Sequence, residues 1–213
     1  MAKKFSHATI EKNSILLLVL TLIVVAIGGL VEIVPTFLIK STIEDVKGVR
    51  PYSPLELAGR NIYIREGCHV CHTQMVRPLR AETERYGAYS VAGEDVWEHP
   101  FLWGSKRTGP DLARVGLRPI TEQWHREHLR DPRQVVPESN MPAYPWLQHA
   151  EVDWSYMKRT LTVFQQQFGV PYSDQDIDQQ MAKVAGEWAE ASEEDALVAY
   201  LLSLGQARRE QRQ

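Results

Sequence analysis

Residues 54–67 read PLELAGRNIYIREG, and residues 68–72 follow at once as CHVCH. In the first run Leu55, Ala58, Ile62 and Tyr63 recur at helical spacing, and Gly67 stands immediately before Cys68. The pattern predicts a helix that delivers a C-x-x-C-H motif. Cys68 and Cys71 are the two cysteines of the chain, and a pair so close in sequence cannot staple a fold together, so it serves local chemistry. In this spacing two thiols add to vinyl groups at one edge of a porphyrin, and the next residue sets an imidazole under the iron. A thioredoxin-like thiol pair and half of a zinc site are the rivals. The first needs a βαβ setting and the second another ligand pair, and neither follows here. The expectation is one covalently bound haem c on Cys68 and Cys71, with His72 as an axial ligand of the iron.

His72 fills one axial position, so a second ligand has to come from elsewhere. Met75 lies too near His72 in sequence to reach the opposite face, and Met157 and Met181 sit in helical patterns where methionine usually fills core. Met141 lies instead in SNMPAYP, an irregular loop with Pro137 before it and Pro142 after it, whose fixed backbone angles can hold a thioether in place. His125 or His128 is the bis-histidine alternative. Gly109-Pro110-Asp111-Leu112 reads as a turn; its use would be a Pro110 carbonyl that accepts the Nδ1 proton of His72 and fixes the ring.

The remaining patterns are helical. Thr121–Arg130 is a short helix stopped by Asp131-Pro132, and Val152–Phe168 and Ser173–Ala189 follow, the second with Ile177, Met181, Val184 and Trp188 on one face. Ser192 with Asp195 resembles a capping box, ahead of an apolar stripe of Leu197, Tyr200, Leu201 and Leu204 that stops at Gly205. No strand run of comparable length occurs. The reading is an all-α domain over 55–205, preceded by a connector of mixed charge over 41–54 and followed by a frayed tail over 206–213.

From Ile15 to Val34 the chain is almost wholly apolar, and about twenty residues at 1.5 Å each cover a hydrocarbon core. Residues 1–40 therefore read as a cytoplasmic stub and one transmembrane anchor. Lys3, Lys4 and Lys12 precede the span, which keeps the N-terminus in the cytoplasm and exports the rest. The span is too long for a typical signal peptide and lacks a cleavage site before Pro35. Its Glu32 reaches the interface or a partner helix. A net charge of -3 with arginines spread among acids leaves no basic stripe, which argues against a nucleic-acid partner.

A helix ending in GCHVCH, then TGPDL, then a loop NMP, then an aliphatic last helix resembles a class I cytochrome c. Residues 71–94, 99–116 and 128–147 are similar, more specifically, to the monohaem subunit family, FixO or CcoO, of cbb3-type cytochrome c oxidases. The resemblance implies an all-α, class I cytochrome c-like haem domain whose first and last helices cross near Gly59 and Tyr200. It implies Cys68 and Cys71 as thioether anchors and His72 and Met141 as axial ligands. It further implies that the chain is anchored in a bacterial inner membrane with its haem domain in the periplasm. There it passes electrons from c-type cytochrome donors, including a dihaem cytochrome c subunit, to a haem-copper catalytic subunit, doing no oxygen chemistry itself. Arg77, Arg80 and Arg85 pair with haem propionates or with the catalytic subunit, or are solvated arginines. Trp97 and Trp103 are expected in the core.

Overall fold

In this computed structural model, residues 7–39, 43–104 and 106–210 are described. The chain divides into two compact units, Met1–Glu44 and Asp45–Gln213. Among the described residues it is all-α, and the sole β feature is an isolated bridge between Glu151 and Ser192.

Helix α1, Ser14–Leu38, dominates the first unit. It starts at Asn13, whose side chain accepts the Leu16 N–H at 3.0 Å. It buries none of its residues and is long and apolar enough to cross a membrane. Pro35 does not end it, against the expectation of a span closing at Val34. A proline so near the C-terminus forfeits little of the hydrogen-bond ladder, and the turn closes with the Ile39 N–H on the Pro35 carbonyl at 3.0 Å.

The second unit is built on a crossing of helix α2, Pro54–Arg65, with the last long helix. Pro54, the last residue of the stretch read as a connector, occupies the first turn, where a missing N–H costs nothing. Ser53 caps it in a reciprocal box with Glu56. The compact unit already begins at Asp45 and buries Val46, inside the stretch 41–54 read as a connector. Next come α3, Arg80–Tyr86, and α4, Glu122–Arg130, capped by Thr121. Then follow α5, Met157–Phe168, α6, Asp174–Gly186, and α7, Glu193–Ser203. Helix α5 starts five residues later than its pattern suggested, because Glu151 and Val152 are held extended by Ser192 and by the Ala191 carbonyl. The Ser192–Asp195 box caps α7 as read.

The buried side of α2 is Leu57, Ala58, Ile62 and Tyr63, with Leu55 only partly covered, and it meets Ala196, Leu197, Tyr200 and Leu201 of α7. Each large apolar side chain buried there contributes about 1.5–3 kcal/mol. The backbones approach so closely that a Cβ on Gly59 would lie 1.9 Å from the Ala196 carbonyl oxygen and 2.8 Å from Tyr200 Cβ. The crossing point is thus at Gly59 and Tyr200, as the resemblance implied. Helix α4 is tied to the start of α7 by Glu194, 1% exposed, which accepts from Arg130 Nε at 2.8 Å and Arg126 Nη1 at 3.1 Å. In the stretch read as a frayed tail, two side chains bond back to the domain. Gln206 Nε2 donates to the Leu202 carbonyl at 2.7 Å and Arg208 Nε to Glu94 at 2.9 Å. Residues 211–213 lie outside the described residues.

Candidate metal centre

Helix α2 stops at Glu66 and Gly67, and Cys68–Cys71 then form one helical turn closed by the His72 N–H on the Cys68 carbonyl at 2.9 Å. Both thiols are free. Burial, then the neighbouring Glu66 carboxylate, pushes the Cys68 thiol up to about 12, so it stays protonated at neutral pH. The hydroxyl of buried Tyr63, on α2, donates to the His72 carbonyl at 3.1 Å and holds the backbone at the end of the motif.

The GPDL segment is bound to this run along its length. The Gly109 N–H donates to the Cys71 carbonyl at 3.0 Å and the Leu112 N–H to the Thr73 carbonyl at 2.8 Å. Between them lies Asp111, 1% exposed. It accepts from Thr73 Oγ1 at 2.5 Å, from the Met75 N–H at 3.0 Å, from the Ala113 N–H at 2.9 Å and from Arg107 Nη2 at 3.1 Å. A buried carboxylate is tolerated only when so fully satisfied. Sequence reasoning missed Asp111 and Arg107 as parts of the site. The signal available was a carboxylate and an arginine four residues apart in RTGPD, which has no weight until the facing strand of chain is known.

The result is a fixed imidazole. His72 Nδ1 lies 2.7 Å from the Pro110 carbonyl, which must accept, so Nδ1 carries the proton and Nε2 keeps its lone pair. Burial holds His72 below the ordinary histidine range, although the Pro110 contact opposes this; the neutral ring is the form that binds metals. The ring lies on Gly109, where a Cβ would come within 2.3 Å of His72 Cε1. These residues fit a haem of the c type: two free thiols one turn apart, and an imidazole clamped at Nδ1 over a glycine that leaves it room.

The loop bearing Met141 runs between α4 and the short turn Pro145–Gln148. It leaves α4 through the turn Pro132–Val135 and returns where the Tyr144 N–H donates to the Leu129 carbonyl at 2.7 Å. Met141 is partly buried and packs against the main core, while its N–H donates to Ser139 Oγ at 3.2 Å. Burial, with a smaller contribution from Cys68, raises the Tyr144 hydroxyl above its ordinary range. Burial, then the His72 ring, holds His128 below its ordinary value, and its Nδ1 is buried with no hydrogen-bond partner among the described residues. His125 is pushed down to about 4 by burial and by His128, and its Nε2 has no partner either. Of the other methionines, Met157 is buried in the core, Met181 is partly buried against it, and the backbone at Met75 serves Asp111 and Arg107.

The three arginines after the motif separate. Arg80 pairs with Glu84 on the surface and Arg77 with Glu82 at 3.0 Å. Arg85 makes no hydrogen bond or ion pair to a described residue and lies over the Tyr86 ring at 5.2 Å. Trp97 packs against the core as expected. Trp103 does not: it is 44% exposed, stacked on Phe101 at 4.4 Å, with its Nε1 donating to Asp95 at 2.8 Å. An N–H that finds a carboxylate at the surface keeps the indole there.

Compared with known proteins, residues 7–207 match the family model described as cytochrome C oxidase, mono-heme subunit/FixO. No curated protein matches the chain.

Proposed function

The chain belongs to the FixO family of cytochrome c oxidase mono-haem subunits, and from that premise we propose that it relays electrons from c-type cytochrome donors to the haem-copper catalytic subunit of a cbb3-type oxidase. The bound haem supplies a one-electron couple between ferrous and ferric iron. The chain supplies its attachment and its surroundings. Cys68 and Cys71 would hold the haem covalently, and His72, through Nε2, and Met141, through its thioether, would ligate its iron. The Pro110 carbonyl holds the proton on His72 Nδ1, which fixes the ring and raises its basicity. The clamped His72 imidazole, 2.7 Å from Pro110 and laid on Gly109, is the observation that carries this reading.

The anchor fits a single pass through a membrane, and in this proposal the haem domain lies in the periplasm of a bacterial inner membrane. The dihaem cytochrome c subunit of the same oxidase is among its donors. Purification from membranes in mild detergent should bring along the haem-copper subunit with cytochrome c oxidase activity, and a c-type spectrum should survive acid-acetone extraction. A fully haem-loaded chain that always purifies alone would make it a free-standing tethered carrier. Loss of the chromophore to acid-acetone would remove the covalent link. For the second ligand, Met141→Ala should keep the haem attached yet lower its potential or open the sixth position, since thioether attachment does not use that residue. An unchanged potential and spectrum would move the ligand to His128 or His125.

A further inference from the structure

Beside Gly109 and Pro110 opens a cleft of about 400 Å³, lined among others by Arg77, Glu82, Arg85, Tyr86 and Arg107. The guanidinium carbons of Arg85, Arg107 and Arg118 lie 5.2, 5.1 and 5.5 Å from the centroid of the Tyr86 ring. Three cations around one ring are thus within about 11 Å of one another, close to the screening length at physiological salt, and repel unless anions offset them. Within the chain the offset is partial. Glu82 takes Arg77 and Arg107, and Asp111 takes Arg107 again. Arg85 has no carboxylate among the described residues, and the Nε of Arg77 is buried without an acceptor.

We propose that this cleft receives a carboxylate side chain from another subunit of the oxidase, with Arg85 as its fork and Arg77 beside it. A planar guanidinium pairs best with a carboxylate through two parallel N–H bonds. A protruding acidic side chain suits a concave cleft, whereas Glu82 and the exposed Glu84 on the same helix α3 repel an extended anionic membrane surface. The position also has a use. The cleft wall includes Pro110, whose carbonyl holds His72, so a subunit seated here lies next to the residues that fix the proposed iron ligand. This inference rests on the subunit role proposed above.

The test uses the full-length, haem-loaded chain in its membrane. Arg85→Glu should lower the amount of the other oxidase subunits retained in mild detergent by about tenfold at moderate salt, as loss of a close charge pair does. Arg85→Lys should keep them, and its new amine should be coupled by a carbodiimide to an Asp or Glu of another subunit, identified by mass spectrometry. Equal retention in Arg85→Glu and the unaltered chain, or coupling of the lysine only within its own chain, overturns the docking site while leaving the subunit role intact. A fall in haem content or a shifted spectrum in Arg85→Glu, with subunits retained, makes Arg85 a haem contact and overturns the proposal. Loss of binding to phosphatidylglycerol vesicles with subunits retained makes the ligand a lipid and does the same. An unaltered chain that retains no other subunit overturns both readings together.

Discussion

The crossing of α2 with α7 and the pairing of α5 with α6 bury apolar stripes in the same core but are built by different means. At the first, two backbones touch: Gly59 faces the Ala196 carbonyl, and Tyr200 packs edge-on against Tyr52 and tilted against Tyr63, with ring centroids 5.6 Å apart in each case. Buried polar groups reinforce it. Arg60, 2% exposed, donates to Glu98 at 2.7 Å, and the Tyr200 hydroxyl to Gln74 at 3.0 Å. Helices α5 and α6 contribute Met157, Leu161, Ile177 and Val184 to the core. Their polar links are exposed ones, Lys158 to Asp178 at 2.8 Å and Gln165 Nε2 to Asp174 at 3.0 Å, and Val163 and Phe168 stay exposed. The first contact depends on shape, and the second on buried apolar stripes with exposed polar links. Hence the first, which carries the C-x-x-C-H turn, should be intolerant of change.

Gly59→Ala should break that contrast most severely. The new methyl has nowhere to go against a carbonyl oxygen, and a cost above about 4 kcal/mol is expected. Urea unfolding and haem content of the purified protein would measure it, and a variant with the normal midpoint would end the distinction between the pairs. Glu194→Ala comes next. It takes the carboxylate from Arg130, while Arg126 keeps Glu122 and Asp195, and should cost about 2 kcal/mol, with Glu194→Gln losing less because it still accepts hydrogen bonds. Equal losses in the two variants would show that space, not charge, matters there.

A smaller effect, with a sign set by pH, is expected at Asp95 near the α2 side of the crossing. Burial, opposed by the Trp103 N–H and aided by Glu98 and Glu94, pushes its carboxyl up to about 7. The folded state therefore holds this proton more tightly than the unfolded chain. The stability so gained is complete below about pH 4 and is lost as the pH rises towards 7. Asp95→Asn mimics the protonated acid. It should raise the melting temperature at pH 8 by a few degrees, the effect of about 1 kcal/mol in a domain of this size, and leave it unchanged at pH 4. A shift independent of pH would assign the gain to packing. Smallest of all, Lys158→Ala on α5 should leave the melting temperature where it was, because an exposed ion pair is screened; a clear drop would mean that the α5–α6 pair is held by more than its apolar stripes.

How much of this was legible depended on the distance over which the cause acts. The cap of α7 at Ser192 and Asp195, the stop of α4 at Asp131-Pro132 and the apolar run of α1 are local, so residue type and spacing sufficed. The cap of α2 was equally local, yet Pro54 concealed it, because the same residue breaks a helix inside and suits its first turn. The late start of α5 was not legible, since Ser192 and Ala191 hold Glu151 and Val152 from forty residues away in sequence. Trp103 was misplaced for a related reason: only the folded loop shows that the half-buried Asp95 accepts its N–H.

The sequence by itself determined the chemistry on offer: two thiols and an imidazole at one spacing, a helix long enough for a bilayer, and candidates for the second ligand. Those follow from covalent reach and from periodicity, which are properties of neighbouring residues. Only the tertiary structure decided that Pro110 lies 2.7 Å from His72, that Asp111 binds the two segments together, and that Arg85 is left without a carboxylate beside them. Hydrogen bonds and charge balance depend on which groups meet after folding, and here the partners are brought together by a helix crossing that a single glycine makes possible.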